Sequence, residues 1–381
     1  MAKRKRIGLS YAYNENWIGG TYYIENLINA LNSLNDEEKP HIVLLTDSYE
    51  SFRVAEQKFN YPYISFQLGS GEANKAFQFL NRVTNRLFKT RLFSQKIKGL
   101  DAVFPYYKSE QQSAAKKKIY WVADFQEHFA PEFFSKDDIA SRLQNQQEIQ
   151  ASAEHLIVSS NTALGHFKSI FPAHTVHVNV LPFAVAHPPY QDLDIKLLLE
   201  KYQLPARYFI CPNQFWKHKN QLVVLKAVKE LKDRGIEITI AFTGNTNDYR
   251  NPHYFMELKE FVEQNNIGSN IKFLGFIDRR DQLQLMNNAI AIIQPSLFEG
   301  WSTVVEDAKL MNKFLLVSDI EIHREQLVNS SARFFDPHNT GQLVQLLQQA
   351  SEQQAAPPLF EKHTYQESVE KVGRTFLQIT G

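Results

Sequence analysis

The stretch AIAIIQPSLFEGWSTVVEDAK, residues 289–309, joins a short apolar run to an amphipathic one across a loop holding an acid, a glycine and two hydroxyls. The run 289–294 is brief and rich in isoleucine, as a strand buried on both faces requires. From Thr303 onward the apolar residues recur at helical spacing. Val304, Val305, Ala308 and Met311 form one stripe, and Ser302 or Thr303 suits the N-cap. The stretch is one strand–loop–helix unit of an α/β fold.

The helix start raises a chemical question about its acids. At about 100° per residue, Glu306 falls opposite the apolar stripe and is expected to face water. Asp307 falls on the flank, beside the helix start. Free N–H groups at a helix start attract anions such as a diphosphate, and Gly300 lets the chain approach closely. Glu299 and Asp307 then stand on either side of that anion, where a carboxylate helps only by accepting hydrogen bonds from hydroxyls. A sugar nucleotide carries hydroxyls on both sides of its diphosphate.

The same alternation extends both ways along the chain. IGLSYAY, HIVLLTD, DAVFPYY, KIYWVAD and HLIVSS read as strands in the first half, with amphipathic stretches such as GGTYYIENLINALNSL between them. A second series follows: YFICPNQ, EITIAFTG, NIKFLGF, AIAIIQ, FLLVSD and ARFFDP. Between the series, residues 181–204 contain prolines and a polar Gln-Asp turn, which predicts an exposed crossover. The expected organisation is a Rossmann-like domain over 1–187, a second over 188–360, and a final helix over 361–381 packing back on the first. Open parallel sheets bind ligands beyond the carboxyl ends of their strands. In the second half the loops there read PNQFWKHKN (212–220), GNTNDYRNP (244–252), GFIDRRD (275–281) and PSLFEGWST (295–303). Solvated loops are polar in any case, but four of this kind at one end of a sheet suit a ligand with phosphate charge and hydroxyls.

Composition excludes several classes. The chain has 381 residues, 43% of them hydrophobic and 22% charged, with a net charge of +1. That is a globular composition without the basic field that attracts nucleic acid. The basic start MAKRKR is followed by no apolar run of the kind a secretory signal has, and no segment reaches membrane-span length. Cys211 is the one cysteine, so neither disulfides nor a cysteine metal site is expected. These features predict a cytoplasmic protein.

With those residues in view, PSLFEGWSTVVEDAK…SDIEIHREQL resembles the donor-site signature of the retaining glycosyltransferases of family 4, which have the GT-B fold: two Rossmann-like α/β domains facing each other across a cleft. The resemblance implies that Glu299 meets hydroxyls of the transferred sugar. It implies that Asp307, where the family has the longer Glu, meets the ribose, with Gly300, Trp301, Ser302 and Thr303 lining the donor. Lys219 matches the family lysine that neutralises the leaving diphosphate. Gln214 stands where the family has an arginine; Lys217 either replaces that charge or is, like His218, part of a solvated loop. Gly244 and the turn Gly275, Phe276 and Ile277 match the segments that approach the nucleotide. In the first half, Gly19 and Gly20 resemble the glycine turn of the acceptor domain, or serve only as a tight turn. YWVADFQEHF matches a His-Asp segment near the reacting carbon. Ala123 replaces the histidine, Asp124 is kept, and His128 faces either the site or the surface.

The activity implied is transfer of a sugar from a nucleotide diphosphate sugar, of UDP or GDP type, to a glycan or lipid-linked saccharide. It would proceed with retention and without metal, cofactor or protein nucleophile. Peripheral attachment at the inner membrane face is one reading of the basic and apolar residues 82–99; a solvated helix is the other. A nucleotide-sugar epimerase of the same fold and a non-catalytic sugar-nucleotide binder are the competing readings. A nicotinamide oxidoreductase is disfavoured because GSGEAN (69–74) is only a partial glycine motif.

Overall fold

The computed structural model describes residues 4–13, 18–46, 49–68, 97–108, 111–354, 356–362 and 365–381. The partial glycine motif at 69–74 and residues 82–96 of the basic-apolar segment lie outside them. The chain divides into two compact units. The first comprises Met1–Asp124, Arg142–Ala184 and Gln366–Gly381; the second comprises Phe125–Ser141 and Val185–Tyr365. Residues 125–141, assigned from sequence to the first domain, therefore group with the second unit.

Among the described residues the first unit holds seven parallel strands: β1 (Arg6–Ser10), β2 (His41–Thr46), β3 (Ile64–Leu68), β4 (Ala102–Phe104), β5 (Lys117–Val122), β6 (His155–Val158) and β7 (His177–Val180). They are ordered β3-β2-β1-β4-β5-β6-β7. β3 and β7 were not legible in the sequence. Both are edge strands, and their sequences ISFQL and HVNV interleave polar with apolar residues. From Gln366 onward the helix Tyr365–Ile379 belongs to this unit and packs on the helix Ile18–Asn32. A Cβ at Gly373 would lie 2.6 Å from the Ala30 carbonyl oxygen, and Phe376 meets Phe104 edge-on with ring centres 5.5 Å apart.

The second unit holds six parallel strands: β8 (Phe209–Cys211), β9 (Ile240–Thr243), β10 (Ile271–Gly275), β11 (Ile292–Gln294), β12 (Leu315–Ser318) and β13 (Arg333–Phe335). Their order is β10-β9-β8-β11-β12-β13. Successive strand residues point to opposite faces, so one buried cluster gathers Phe209, Cys211, Ile240, Phe242 and Ile293, and another gathers Ile210, Ala241, Ile292, Leu315 and Val317. The first is covered by Val224 and Val228 of the helix Gln221–Asp233 and by Leu343 and Leu347 of the helix Thr340–Glu352. The second is covered by Leu285 and Met286 of the helix Arg279–Asn288 and by Val304, Val305 and Ala308 of the helix Thr303–Met311. Both faces are buried, which explains the near-continuous apolar strands.

The crossover is exposed at Pro188, Pro189 and the Gln191-Asp192 turn, as expected, but buried at its start. Leu181, Phe183, Ala184 and Val185 are buried. Within the first unit Tyr23 Oη donates to the Leu181 carbonyl at 2.8 Å. Within the second, Val185 N donates to Tyr365 Oη at 2.7 Å. Among the described residues no helix is long and apolar enough to cross a membrane.

The packing of the last helix gives a stability test. Gly373→Val would force side-chain volume against the backbone at Ala30, so the unfolding free energy should fall by about 1–3 kcal/mol. Chemical denaturation measures this, and an unchanged or raised midpoint would contradict the packing described.

Candidate active site

In the second sheet the strand order reverses between β8 and β11, which places the loops leaving these two strands side by side at the carboxyl edge. The loop after β8 ends in a short 3₁₀ turn, Lys217–Lys219, and Asn220 takes a left-handed conformation before the next helix. The Asn220 side-chain amide donates to the Pro295 carbonyl at 3.2 Å and to the Pro337 carbonyl at 3.0 Å. Leu297 N donates to the His218 carbonyl at 2.8 Å. The loops after β8 and β11 are thus joined by backbone as well as side chains.

At this junction Lys219 Nζ donates to both carboxylate oxygens of Glu299, at 2.7 and 2.8 Å. Glu299 Oε1 also accepts from Gln294 Nε2 at 2.8 Å and Ser296 Oγ at 2.7 Å. The glutamate side chain is 8% exposed and the lysine side chain 18%. Two residues singled out for different parts of a donor therefore form one ion pair, held on the acid side by Gln294 and Ser296. Those two supports were not found from the sequence, although their position at the end of β11 is where such residues belong.

Next to the pair lie two histidines whose environments keep them neutral. His323 is fully buried; burial, opposed in part by Glu299 and a bond to the Ser318 backbone, pushes its pKa down to about 4. His323 Nδ1 lies 2.8 Å from the Ser318 carbonyl oxygen, so this nitrogen carries the proton. His218 is also buried. Burial, followed by the charges of Lys219 and Arg250, depresses its pKa well below the ordinary value. His218 is therefore no part of a solvated loop, whereas Lys217 is exposed.

The helix Thr303–Met311 begins where expected, with Ser302 as N-cap accepting from Val305 N. The Ser302 N–H, expected to be open to an anion, instead donates to Gln326 Oε1 at 3.0 Å. Trp301 lies within reach of Lys309, whose Nζ is 5.9 Å from the ring centre. The larger difference concerns the two acids.

Glu306 does not face water: it is 1% exposed. It accepts from Tyr365 Oη at 2.9 Å, Gln326 Nε2 at 3.0 Å and Lys309 Nζ at 2.8 Å. Asp307 is equally buried. Its Oδ1 accepts from Arg279 Nη2 at 2.5 Å and lies 2.9 Å from His187 Nε2. Burial raises the Asp307 pKa, but the Arg279 charge and the His187 bond outweigh it and hold the group below the usual carboxylate value. Arg279 continues through Gln282, at 2.8 Å, to Thr243 Oγ1, another 2.8 Å on. Asp307 is thus tied into an ion-pair network rather than lying open along the flank of the helix.

The remaining candidates divide between the units. Gly244 and Gly275 adjoin, with Gly244 N donating to the Gly275 carbonyl at 2.8 Å. Gly244 has φ +144°, and a Cβ there would stand 2.3 Å from the Asn213 carbonyl oxygen, so only glycine fits. Gln214 follows Asn213, and its carbonyl accepts from Gln221 Nε2 at 2.9 Å. Phe276, beyond β10, is 53% exposed; Ile277 beside it is half-buried. His128 belongs to the second unit through the segment Phe125–Ser141, and its Nε2 is 3.8 Å from Glu127 Oε1. Asp124, Gly19 and Gly20 belong to the first unit. Asp124 accepts from Arg142 Nη2 at 2.7 Å. Gly19 and Gly20 begin the helix Ile18–Asn32, and a Cβ at Gly19 would meet nothing within 4 Å. Among the described residues no three His, Cys, Asp or Glu side chains are grouped as a metal site would need.

Residues 200–367, which contain the Lys219–Glu299 junction, match the family model of the glycosyl transferases group 1. Part of the chain is 27% identical over 124 residues to the O-antigen chain mannosyltransferase RfbU of Salmonella typhimurium, covering 32% of this chain and 33% of that protein. Another alignment is 30% identical over 106 residues to the putative glycosyltransferase EpsF of Bacillus subtilis, covering 28% and 26%. The aligned stretches thus span a third or less of these relatives. Among solved structures, Anabaena HepE in complex with UDP and glucose is similar with a TM-score of 0.63 at 15% identity, over 99% of this chain and 97% of that one. An α,α-trehalose-phosphate synthase from Burkholderia xenovorans in complex with glucose-6-phosphate is similar with a TM-score of 0.64 at 11% identity, over 99% and 100%. At such identities the likeness is one of fold. The fold is GT-B: two parallel-sheet α/β domains with flanking helices.

The buried position of Glu306 is directly testable. Glu306→Ala would leave buried Tyr365 and Gln326 polar groups short of an acceptor. The unfolding free energy should fall by roughly 2–4 kcal/mol, from about 1–3 kcal/mol for each stranded group. A loss under about 0.5 kcal/mol, the usual effect of a surface substitution, would place Glu306 in water.

Proposed function

We propose that this chain is a glycosyltransferase that moves a sugar from a nucleoside diphosphate sugar to a glycan or lipid-linked saccharide, with retention of anomeric configuration and without a metal ion. The observation that carries the reading is the Lys219–Glu299 pair at the switch point of the second sheet, inside the region that matches the glycosyl transferases group 1. A UDP-type donor is supported by the UDP and glucose in the HepE structure; a GDP-type donor fits the same charges.

The chemistry follows from where charge develops. Cleavage of the bond between the anomeric carbon and the phosphate oxygen places negative charge on the departing diphosphate. Lys219, preorganised by Glu299, supplies the compensating positive charge in a partly desolvated site. Of the Glu299 oxygens, Oε1 takes three donors and Oε2 takes one, so Oε2 is proposed to accept from a sugar hydroxyl. The acceptor hydroxyl forms the new bond on the same face, and its proton passes to the departing phosphate oxygen, so no protein nucleophile is needed. Metal independence is proposed because a lysine can take the neutralising role. Asp307 is proposed to order the nucleotide end through its network with Arg279. Asp124 and His128 are retained as candidates near the reacting carbon. Work at the inner face of a membrane, from the cytoplasm, is the setting proposed for a lipid-linked acceptor.

A nucleotide-sugar screen followed by product NMR tests this reading. Turnover should persist in EDTA and give a product of unchanged anomeric configuration. Glu299→Gln should lower turnover by about a hundredfold, as expected when a charged acceptor worth about 1.5–3 kcal/mol is lost in the transition state. An inverted product, or activity abolished by EDTA and restored by Mg²⁺, would contradict the mechanism. A changed nucleotide sugar formed without acceptor would indicate an epimerase.

A further inference from the structure

The chain leaves the first unit at Asp124 and returns to it at Arg142, and the residues between, Phe125–Ser141, belong to the second unit. They meet it at the root of the turn that carries Lys219. The Arg250 guanidinium lies between two aromatic rings, 4.5 Å from the centre of Phe134 and 4.3 Å from that of Trp216. Its side chain is only 3% exposed, and its charge faces Asp248 at 3.8 Å. Asp248 in turn accepts from Lys217 N at 3.2 Å. Beside this stack, Phe133 packs on His218 with ring centres 6.0 Å apart, and His218 packs edge-on to Trp216 at 5.6 Å.

A guanidinium withdrawn from water loses hydration, and an aliphatic side chain would fill the same space without that cost. What the guanidinium adds is a joint between three segments: the arm through Phe134, the loop after β9 that contains it, and the loop after β8 through Trp216. A cation over an aromatic face is attracted by the ring's quadrupole, so Arg250 holds Phe134 and Trp216 together. Lys219 lies three residues beyond Trp216, and its N–H donates to the Trp216 carbonyl at 2.8 Å. Any loosening at Trp216 therefore reaches the lysine directly.

We propose that residues 125–141 form a donor-side arm, and that Phe134 and Arg250 are positioning residues that hold the Lys217–Lys219 turn where Lys219 meets the diphosphate. The inference rests on the donor reading above and adds to it a part played by a segment that precedes the donor region in sequence.

Calorimetric titration with UDP and with GDP tests it on the full chain, using Phe134→Ala, Lys219→Ala and the double variant. Phe134→Ala should weaken binding about tenfold, corresponding to one cation–π contact. The double variant should bind no more weakly than Lys219→Ala alone, because both changes act through the same lysine. Phe134→Tyr, which keeps the aromatic face, should retain wild-type affinity. The cycle is repeated with Phe134→Leu, which fills the space without a π face, so a folding defect of the alanine variant does not decide the result. If the wild type binds nucleotide and the two losses multiply, the arm does not act through Lys219 and the inference is overturned. If the wild type binds neither nucleotide, the donor reading fails and this inference falls with it.

Discussion

Between β8 and β11 the second sheet changes its direction of growth, and the loops leaving those strands are forced together because the strands are neighbours. Lys219 lies on one loop and Glu299 on the other, 80 residues apart in the chain. Strand order brings the two loops side by side, and the ion pair then joins them. Gln294 and Ser296 then fix the carboxylate, and Asn220 and Leu297 tie the two backbones. With the charges fixed in advance, little reorganisation is needed when a charged ligand arrives, which is the condition for electrostatic stabilisation of a transition state.

The double β/α series was legible because a parallel sheet covered on both faces must be built from near-continuous apolar strands. YFICPNQ and FLLVSD announce such strands without any knowledge of partners. The edge strands β3 and β7 were not legible, since an edge position permits polar residues and ISFQL and HVNV use that freedom. The segment Phe125–Ser141 was misassigned for a different reason. It follows β5 directly in sequence, and three-dimensional contacts such as those of Phe133 and Phe134 with His218 and Arg250 show which unit it serves.

The two adjacent acids show where helical periodicity stops being informative. The stripe of Val304, Val305 and Ala308 does face the core, and Glu306 does point away from it. The far side, however, is covered by Tyr365 and Gln326, which supply the hydrogen bonds a buried carboxylate demands. A polar partner from 59 residues away leaves no periodic trace. Asp307 is one methylene shorter than glutamate, and the bonds from Arg279 and His187 converge on a single oxygen. Neither partner was visible as such, because Arg279 reads as an ordinary first-turn residue and His187 as part of a proline-rich linker.

The central claim is that the loops after β8 and β11 receive a nucleoside diphosphate. A crystal structure of the chain with UDP or GDP measures this most directly. The account predicts diphosphate oxygens at the carboxyl ends of β8 and β11, with at least one within about 3 Å of Lys219 Nζ. A diphosphate bound elsewhere, with the Lys219–Glu299 pair closed and untouched, would contradict it.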